Sequence, residues 1–331
     1  MRLKTKKGRD VIKVFRTNGV LQIAIIAVAV VAIWLRWFIW PAEMVDETGS
    51  GPVYDLMRMV LGGVPVAATA VALGLTLAEG YVLNRMLYEK GLVPLNSLMP
   101  MLLYVIYLAI GCRGMSPVVV ANLWVLLGLR SMMPKENLIL EDRKIFNTGF
   151  WCSMAGLSWM PAIWVVVPIV IGQLTYKMYK GREWSVWTLG WLASVIVVVT
   201  ALFMADRIEE SVVYAKEIAA TAEEWFGGDW VSMATAVVVM VIGIVTTVGA
   251  ANVLEGKTRV VRKHGLVMGA MLIYGAAAMV YEGVTPLDGG PWALGFATTG
   301  SVFMMEKRKW LWVYDVLLGL LFACAVVEMV R

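Results

Sequence analysis

Residues 20 to 40 read VLQIAIIAVAVVAIWLRWFIW, an apolar run interrupted only by Gln22 and Arg36 and bracketed by opposite charges. Arg2, Lys4, Lys6, Lys7, Arg9, Lys13 and Arg16 precede it; Pro41 ends it, and Glu43, Asp46, Glu47 and Asp55 follow. Built as an α-helix rising about 1.5 Å per residue, such a run covers the roughly 30 Å of a bilayer's hydrocarbon core. Lysine and arginine resist translocation, so the basic arm belongs inside and the acidic loop outside. That choice orients every later segment. The run is too long for a signal-peptide core and lacks a small-x-small cleavage site before Pro41, so it reads as a retained helix.

Comparable runs recur to the end of the chain. Of 331 residues 60% are hydrophobic and 16% charged, with a mean hydropathy of +0.74; a globular water-exposed chain has about 45–50% apolar and about 25% charged residues. The expected fold is an all-α polytopic transmembrane bundle. Its basic cytoplasmic arm is residues 1–18, and residues 19–331 form one membrane domain. Eleven spans are expected, near residues 19–40, 60–83, 95–112, 117–129, 146–160, 161–176, 184–204, 231–254, 265–281, 292–305 and 310–330. The fourth is short for a crossing, which suits a helix surrounded by protein or one bordering a cavity. The break at Ser158-Trp159-Met160-Pro161 divides a stretch too long for one straight helix and favours a hairpin. Segment 206–229 carries seven acidic residues, with Ile208, Val212, Ala215, Ala219, Ala222 and Phe226 on one helical face. It is expected to lie on the outer surface as an amphipathic helix, stopped by Gly227-Gly228.

Charge tests this map. Of 29 Lys and Arg, 23 fall in segments assigned to the cytoplasm, five outside and one, Arg36, within the first span. Of 24 acidic residues, eight fall inside, 13 outside and three within spans. The basic balance is therefore topological, with the N-terminus inside and the C-terminus outside, and gives no reason to expect nucleic acid as a partner. Cys112, Cys152 and Cys324 lie in or beside apolar segments without paired spacing and read as small buried residues.

Few patterns carry chemistry. There is no GxxxxGK[ST] loop and no GxGxxG opening a helix. The one histidine, His264, sits among basic residues, so neither a His-based triad facing the membrane or outside nor a His-rich metal site can be built. No metal and no cofactor is expected. Ionisable residues inside a membrane are functional candidates by default, yet Arg36, Glu79, Asp315 and Glu328 each map near a span end. Arg85 is the expected neighbour of Glu79, and Lys309 that of Asp315. Asn122 is the most buried-looking polar residue, suited to an interhelical hydrogen bond.

The acidic outer loop suggests one catalytic arrangement. Membrane glycosyltransferases that use polyprenyl-phosphate sugars typically place a carboxylate base on the first outer loop, with basic residues holding the lipid phosphate. Candidate bases are Asp55, Asp46 and Glu47; candidate phosphate ligands are Arg58, Arg113 and Arg36. Asp55 is foremost, just ahead of the second span with Arg58 three residues on. The short loop, under twenty residues, departs from that class.

Five stretches carry a resemblance: VFRTNGVLQIAIIAVAVVAIWLRWFIWP, VYDLM, LNRMLYEKGLVPLNSLMPMLLYVIYLAI, SPVVVANLWVLLGLRSM and FNTGFWCSMAGLSWMPAIWVVVPIVIGQL. Together they resemble an uncharacterised family of polytopic inner-membrane proteins from Bacteroidota, over roughly residues 11–204. The resemblance implies a multi-pass protein of the cytoplasmic membrane and supplies no activity or site residues; residues 1–10 stand ahead of the usual family start. Three functional expectations follow. The first is a non-enzymatic envelope-biogenesis or assembly component, with membrane lipid and other envelope membrane proteins as partners. The alternatives are the polyprenyl-phosphate-sugar transferase just described and a transporter or lipid flippase.

Single cysteines test the topology. In intact spheroplasts Lys144→Cys, Lys180→Cys and Lys257→Cys should resist an impermeant thiol reagent, whereas Glu47→Cys, Glu210→Cys and Asp288→Cys should react. Labelling at 144 or 257 from outside would overturn the map.

Overall fold

The computed structural model describes residues 14–15, 20–41, 44, 50–94, 97–111, 114–134, 141–207, 230–282, 290–306 and 311–330. Among these are twelve α-helices and no β-strand: α1 (Val20–Ile39), α2 (Pro52–Leu61), α3 (Pro65–Glu89), α4 (Met99–Gly111), α5 (Pro117–Met132), α6 (Asp142–Ser158), α7 (Val166–Thr175), α8 (Gly181–Met204), α9 (Trp230–Glu255), α10 (Arg259–Glu282), α11 (Gly290–Glu306) and α12 (Leu311–Val330). A 3-10 turn, Met160–Val165, precedes α7. The all-α expectation is met.

Four helices are long and apolar enough to cross a membrane: α1, α3, α8 and, over Val237–Glu255, α9. Each leaves most of that surface uncovered by protein, as a helix facing lipid must. Against the eleven crossings expected, the remaining apolar helices are shorter, Met99–Ile110, Pro117–Met132, Met160–Thr175, Trp292–Met305 and Trp312–Val327. Two of these short helices, α4 and α11, form the centre. Along α4, residues 102–108 are each at most 2% exposed, and α11 packs against α4, α5, α9 and α10. A helix enclosed by other helices satisfies its own backbone and meets no lipid, so its length is free of the bilayer's thickness.

Contacts sort the helices by end. Lys90, after α3, reaches the carbonyls of Met133 and Pro134 after α5. Tyr176, after α7, meets His264 near the start of α10, and Arg182 pairs with Asp142 at the starts of α8 and α6. These residues share what we call the basic end. At the opposite end, Gly51 donates to the Ser158 carbonyl at 3.1 Å and the Tyr54 hydroxyl to the Met115 carbonyl at 3.0 Å. Since α6 and α8 both start at the basic end, α7 carries the chain back between them, so the break at Ser158 is a reversal.

Two boundaries differ from the expected ones. The stretch ahead of the second span is not all turn: Pro52, preset for a first helical position, opens α2, and a turn at residues 62–64 separates it from α3. The second span then runs on past residue 83. Its stop is a Schellman motif, with Gly91 at φ +71, Gly91 N–H donating to Tyr88 and Leu92 N–H to Leu87. Of segment 206–229 only Asp206, at φ 59 just past α8, and Arg207 are described; residues 208–229 lie outside the described residues.

Close packing depends on small residues. Gly149 of α6 and Gly190 of α8 lie against the other helix's backbone, at Trp187 and Phe146, and rings of α11 fill the spaces beside Gly243, Gly249 and Gly275. A Cβ on Gly149 meets the Trp187 carbonyl, which cannot rotate aside, whereas one on Gly74 meets open space. Gly149→Ala should therefore destabilise by about 1–3 kcal/mol, and Gly74→Ala should not. Thermal unfolding in detergent compares them; equal midpoints would refute the packing.

Candidate functional site

The outer-loop candidates separate. Asp46, Glu47 and Arg113 lie outside the described residues. Asp55 falls in the first turn of α2, where a negative charge suits the helix dipole. It is 9% exposed, and its Oδ1 lies 3.9 Å from Arg58 Nη1, on the next turn of the same helix. The structure thus brings Asp55 and Arg58 together. A partly exposed pair at that spacing stabilises by well under about 1 kcal/mol. Arg36 sits in the last turn of α1, its guanidinium 5.8 Å from the Trp37 ring centroid.

A second carboxylate is placed differently from its sequence assignment. Because α3 continues to Glu89, Glu79 is ten residues, about 15 Å, from that end. It lies near mid-length of a spanning helix, not one turn inside. Its side chain is 0% exposed. Arg85 is not its neighbour; the Arg85 guanidinium binds Glu89 at 2.8 Å, one turn along. Instead Tyr104, on the central helix α4, donates its hydroxyl to Glu79 Oε2 at 2.7 Å, and Oε1 has no hydrogen-bond partner among the described residues. An unpaired polar group in such surroundings is costly, and the phenol supplies one partner. The carboxyl can then gain or lose a proton on Oε1 without releasing Tyr104.

The sequence carried a signal for this. Asn84-Arg85 reads as a loop on polarity alone, but no Pro or Gly stands between Gly80 and Gly91, and Pro94 follows. Gly then Pro is a helix stop, and Arg85 with Glu89 is an i,i+4 helical pair. Tyr104 as the partner carries no such signal, since only the tertiary fold pairs α4 with α3. Asn122, 0% exposed, makes an interhelical bond of the expected kind, donating to the Gly290 carbonyl at 2.9 Å.

At the basic end His264 is not in an open loop but within α10, 1% exposed. Its Nδ1 lies 2.6 Å from the Tyr176 hydroxyl, while Lys263 Nζ binds the Thr175 carbonyl at 2.7 Å. Burial, then the charge of Lys90, push the His264 imidazole down to about 4. Among the described residues no three His, Cys, Asp or Glu gather as metal ligands.

Fold and site together define an all-helical, membrane-embedded bundle with a carboxyl buried midway along a spanning helix. No protein-family model, curated protein or solved structure matches the chain.

The histidine gives a pH test. An unfolded His takes its proton near about pH 6.5, and the folded one only near about 4. Between those values the unfolded chain binds more protons. The stability present above about pH 6.5 is therefore lost as pH falls toward about 4. The unfolding midpoint in detergent should drop more between pH 7 and 4.5 than that of His264→Gln; parallel curves would refute this.

Proposed function

We propose that this chain is a multi-pass protein of the cytoplasmic membrane that moves a solute or lipid in a proton-linked way, with the Glu79–Tyr104 pair as its working centre. The observation that carries this reading is the depth of Glu79: a fully buried carboxyl, at mid-length of a spanning helix, with one oxygen held and the other unpartnered among the described residues. Charged groups at that depth are costly and mark ion or substrate pathways. Lys90, Lys180, Arg182 and Lys263 lie toward one end of the bundle, which supports the N-inside, C-outside orientation. The five sequence stretches support membership of the Bacteroidota family in the same way.

Two other readings each keep one observation. As an envelope-biogenesis or assembly component, in contact with membrane lipid and other envelope proteins, the protein uses Tyr104–Glu79 as a fixed bond between closely packed helices. As a lipid-linked sugar transferase, it uses Asp55 as base and Arg58 against the phosphate.

Complementation of a deletion strain separates the three. Glu79→Gln keeps the shape and removes the exchangeable proton; it should reach the membrane at normal level and fail to complement, while Asp55→Asn complements. Full complementation by Glu79→Gln would end the transport reading in favour of assembly. Loss in Asp55→Asn alone would favour the transferase.

A further inference from the structure

The side chains above and below Glu79 on the inward face of α3 differ in kind. Toward the end opposite Lys90 come Thr76, Ala72, Thr69 and Ala68, all buried, small or hydroxylated. Toward Lys90 come Leu83, Met86 and Leu87, each at most 1% exposed. The facing helix is apolar and buried on both sides of Tyr104, from Leu102 to Leu108, so the difference in kind belongs to α3, and α4 adds to it by where it ends. Tyr104 is opposite Glu79, and Gly80 lies against Met101, so α3 and α4 run antiparallel. That register sets Met99, Leu102 and Leu103, at most 2% exposed, level with the apolar half of the α3 stripe. In the other direction α4 stops at Gly111, about 10 Å beyond Tyr104, and leaves the first turns of α3 without it.

Charge points the same way. Lys90 stands eleven residues from Glu79, three helical turns along nearly the same face. Its Nζ is held by the carbonyls of Met133 and Pro134 at 2.6 and 3.0 Å. A fixed ammonium beyond an apolar plug opposes the approach of a proton from that end. The Thr69 and Thr76 hydroxyls donate to Pro65 and Ala72 of their own helix, which leaves lone pairs as acceptors toward the seam. Among the titratable side chains on helices packed against α3 (Arg36 on α1, Tyr54, Asp55 and Arg58 on α2, Tyr104 and Tyr107 on α4, Arg130 on α5), Tyr104 is the one bonded to Glu79.

We propose that Glu79 exchanges its proton with the compartment at the end opposite Lys90, along the Thr69–Thr76 side of the α3–α4 seam, and that Leu83, Met86 and Leu87 seal it from the other compartment. This rests on the proton-linked reading above and adds the side of access. The step is a single proton transfer. An O–H bond forms on Glu79 Oε1 from a carboxylate lone pair and breaks on the hydronium that delivers the proton, leaving water; no electron changes hands.

The test uses the full chain inserted in one direction into sealed proteoliposomes, with pH stepped separately on each side. The readout is the infrared carboxyl C=O band that Glu79→Gln removes. A step on the side opposite Lys90 should change the band at once, and the same step on the Lys90 side should change it only as fast as the vesicles leak. Thr76→Val should slow the fast response about tenfold, the rate worth of one intramembrane hydrogen bond. Leu83→Ser should create a response from the Lys90 side. A band that follows the Lys90 side in the unsubstituted protein, or neither side, overturns the proposal. Complementation by Glu79→Gln would instead remove the transport reading while leaving the sidedness result standing.

Discussion

A carboxyl group shut away from water has to find its hydrogen bonds within the protein, and the bond from Tyr104 to Glu79 is where this fold meets that demand. Much of the architecture can be read from it. Tyr104 reaches Glu79 because α4 is drawn into the centre of the bundle, and α4 can be central because it is short and enclosed. Residue 79 is at that level because α3 persists for 25 residues to its stop at Gly91. Close approach of the two helices at Gly80 brings the acid and the phenol within bonding distance. A truncated α3 would leave Glu79 at the headgroups, where any nearby cation could serve it.

The same economy governs the rest of the interior. With lipid outside, helices gain little from hiding apolar surface and hold together by close packing and interhelical bonds. Hence glycines face backbone between α6 and α8, aromatic rings of α11 enter the spaces beside glycines of α9 and α10, and Asn122 ties α5 to the start of α11. Hydroxyls of Thr298, Thr299 and Ser301 turn back to carbonyls of their own helix, so these three enter the core with their donors met.

What could be read in the sequence follows the range of the forces involved. Hydropathy and charge act segment by segment, so the helical class, the first span, the reversal at Ser158 and the buried interhelical role of Asn122 were legible. Helix ends were less so, because Asn84 and Arg85 look like loop residues until Gly91 and Pro94 are weighed as the real stop. That misplacement hid Glu79. Length and composition mark four helices as long enough to cross, while a run of about 13 apolar residues reads alike whether it faces lipid or protein. Pairings between distant segments, Tyr104 with Glu79, Tyr176 with His264 and Lys90 with the Met133 carbonyl, have no local signature at all. Asp55 and Arg58, three residues apart on one helix, were legible because their spacing alone brings them together.

The fold and the proposed proton chemistry both depend on the depth of Glu79, and carbodiimide chemistry reads that depth directly. An apolar carbodiimide enters the hydrocarbon core and traps carboxyls there, whereas a water-soluble one modifies those at the surface. Peptide mapping after each treatment of the protein in native membranes compares Glu79 with Glu89, ten residues along the same helix and paired with Arg85. Glu79 should be modified by the apolar reagent and spared by the soluble one, with Glu89 showing the reverse preference. Equal modification of both residues by the soluble reagent would put Glu79 at the membrane surface and contradict this expectation.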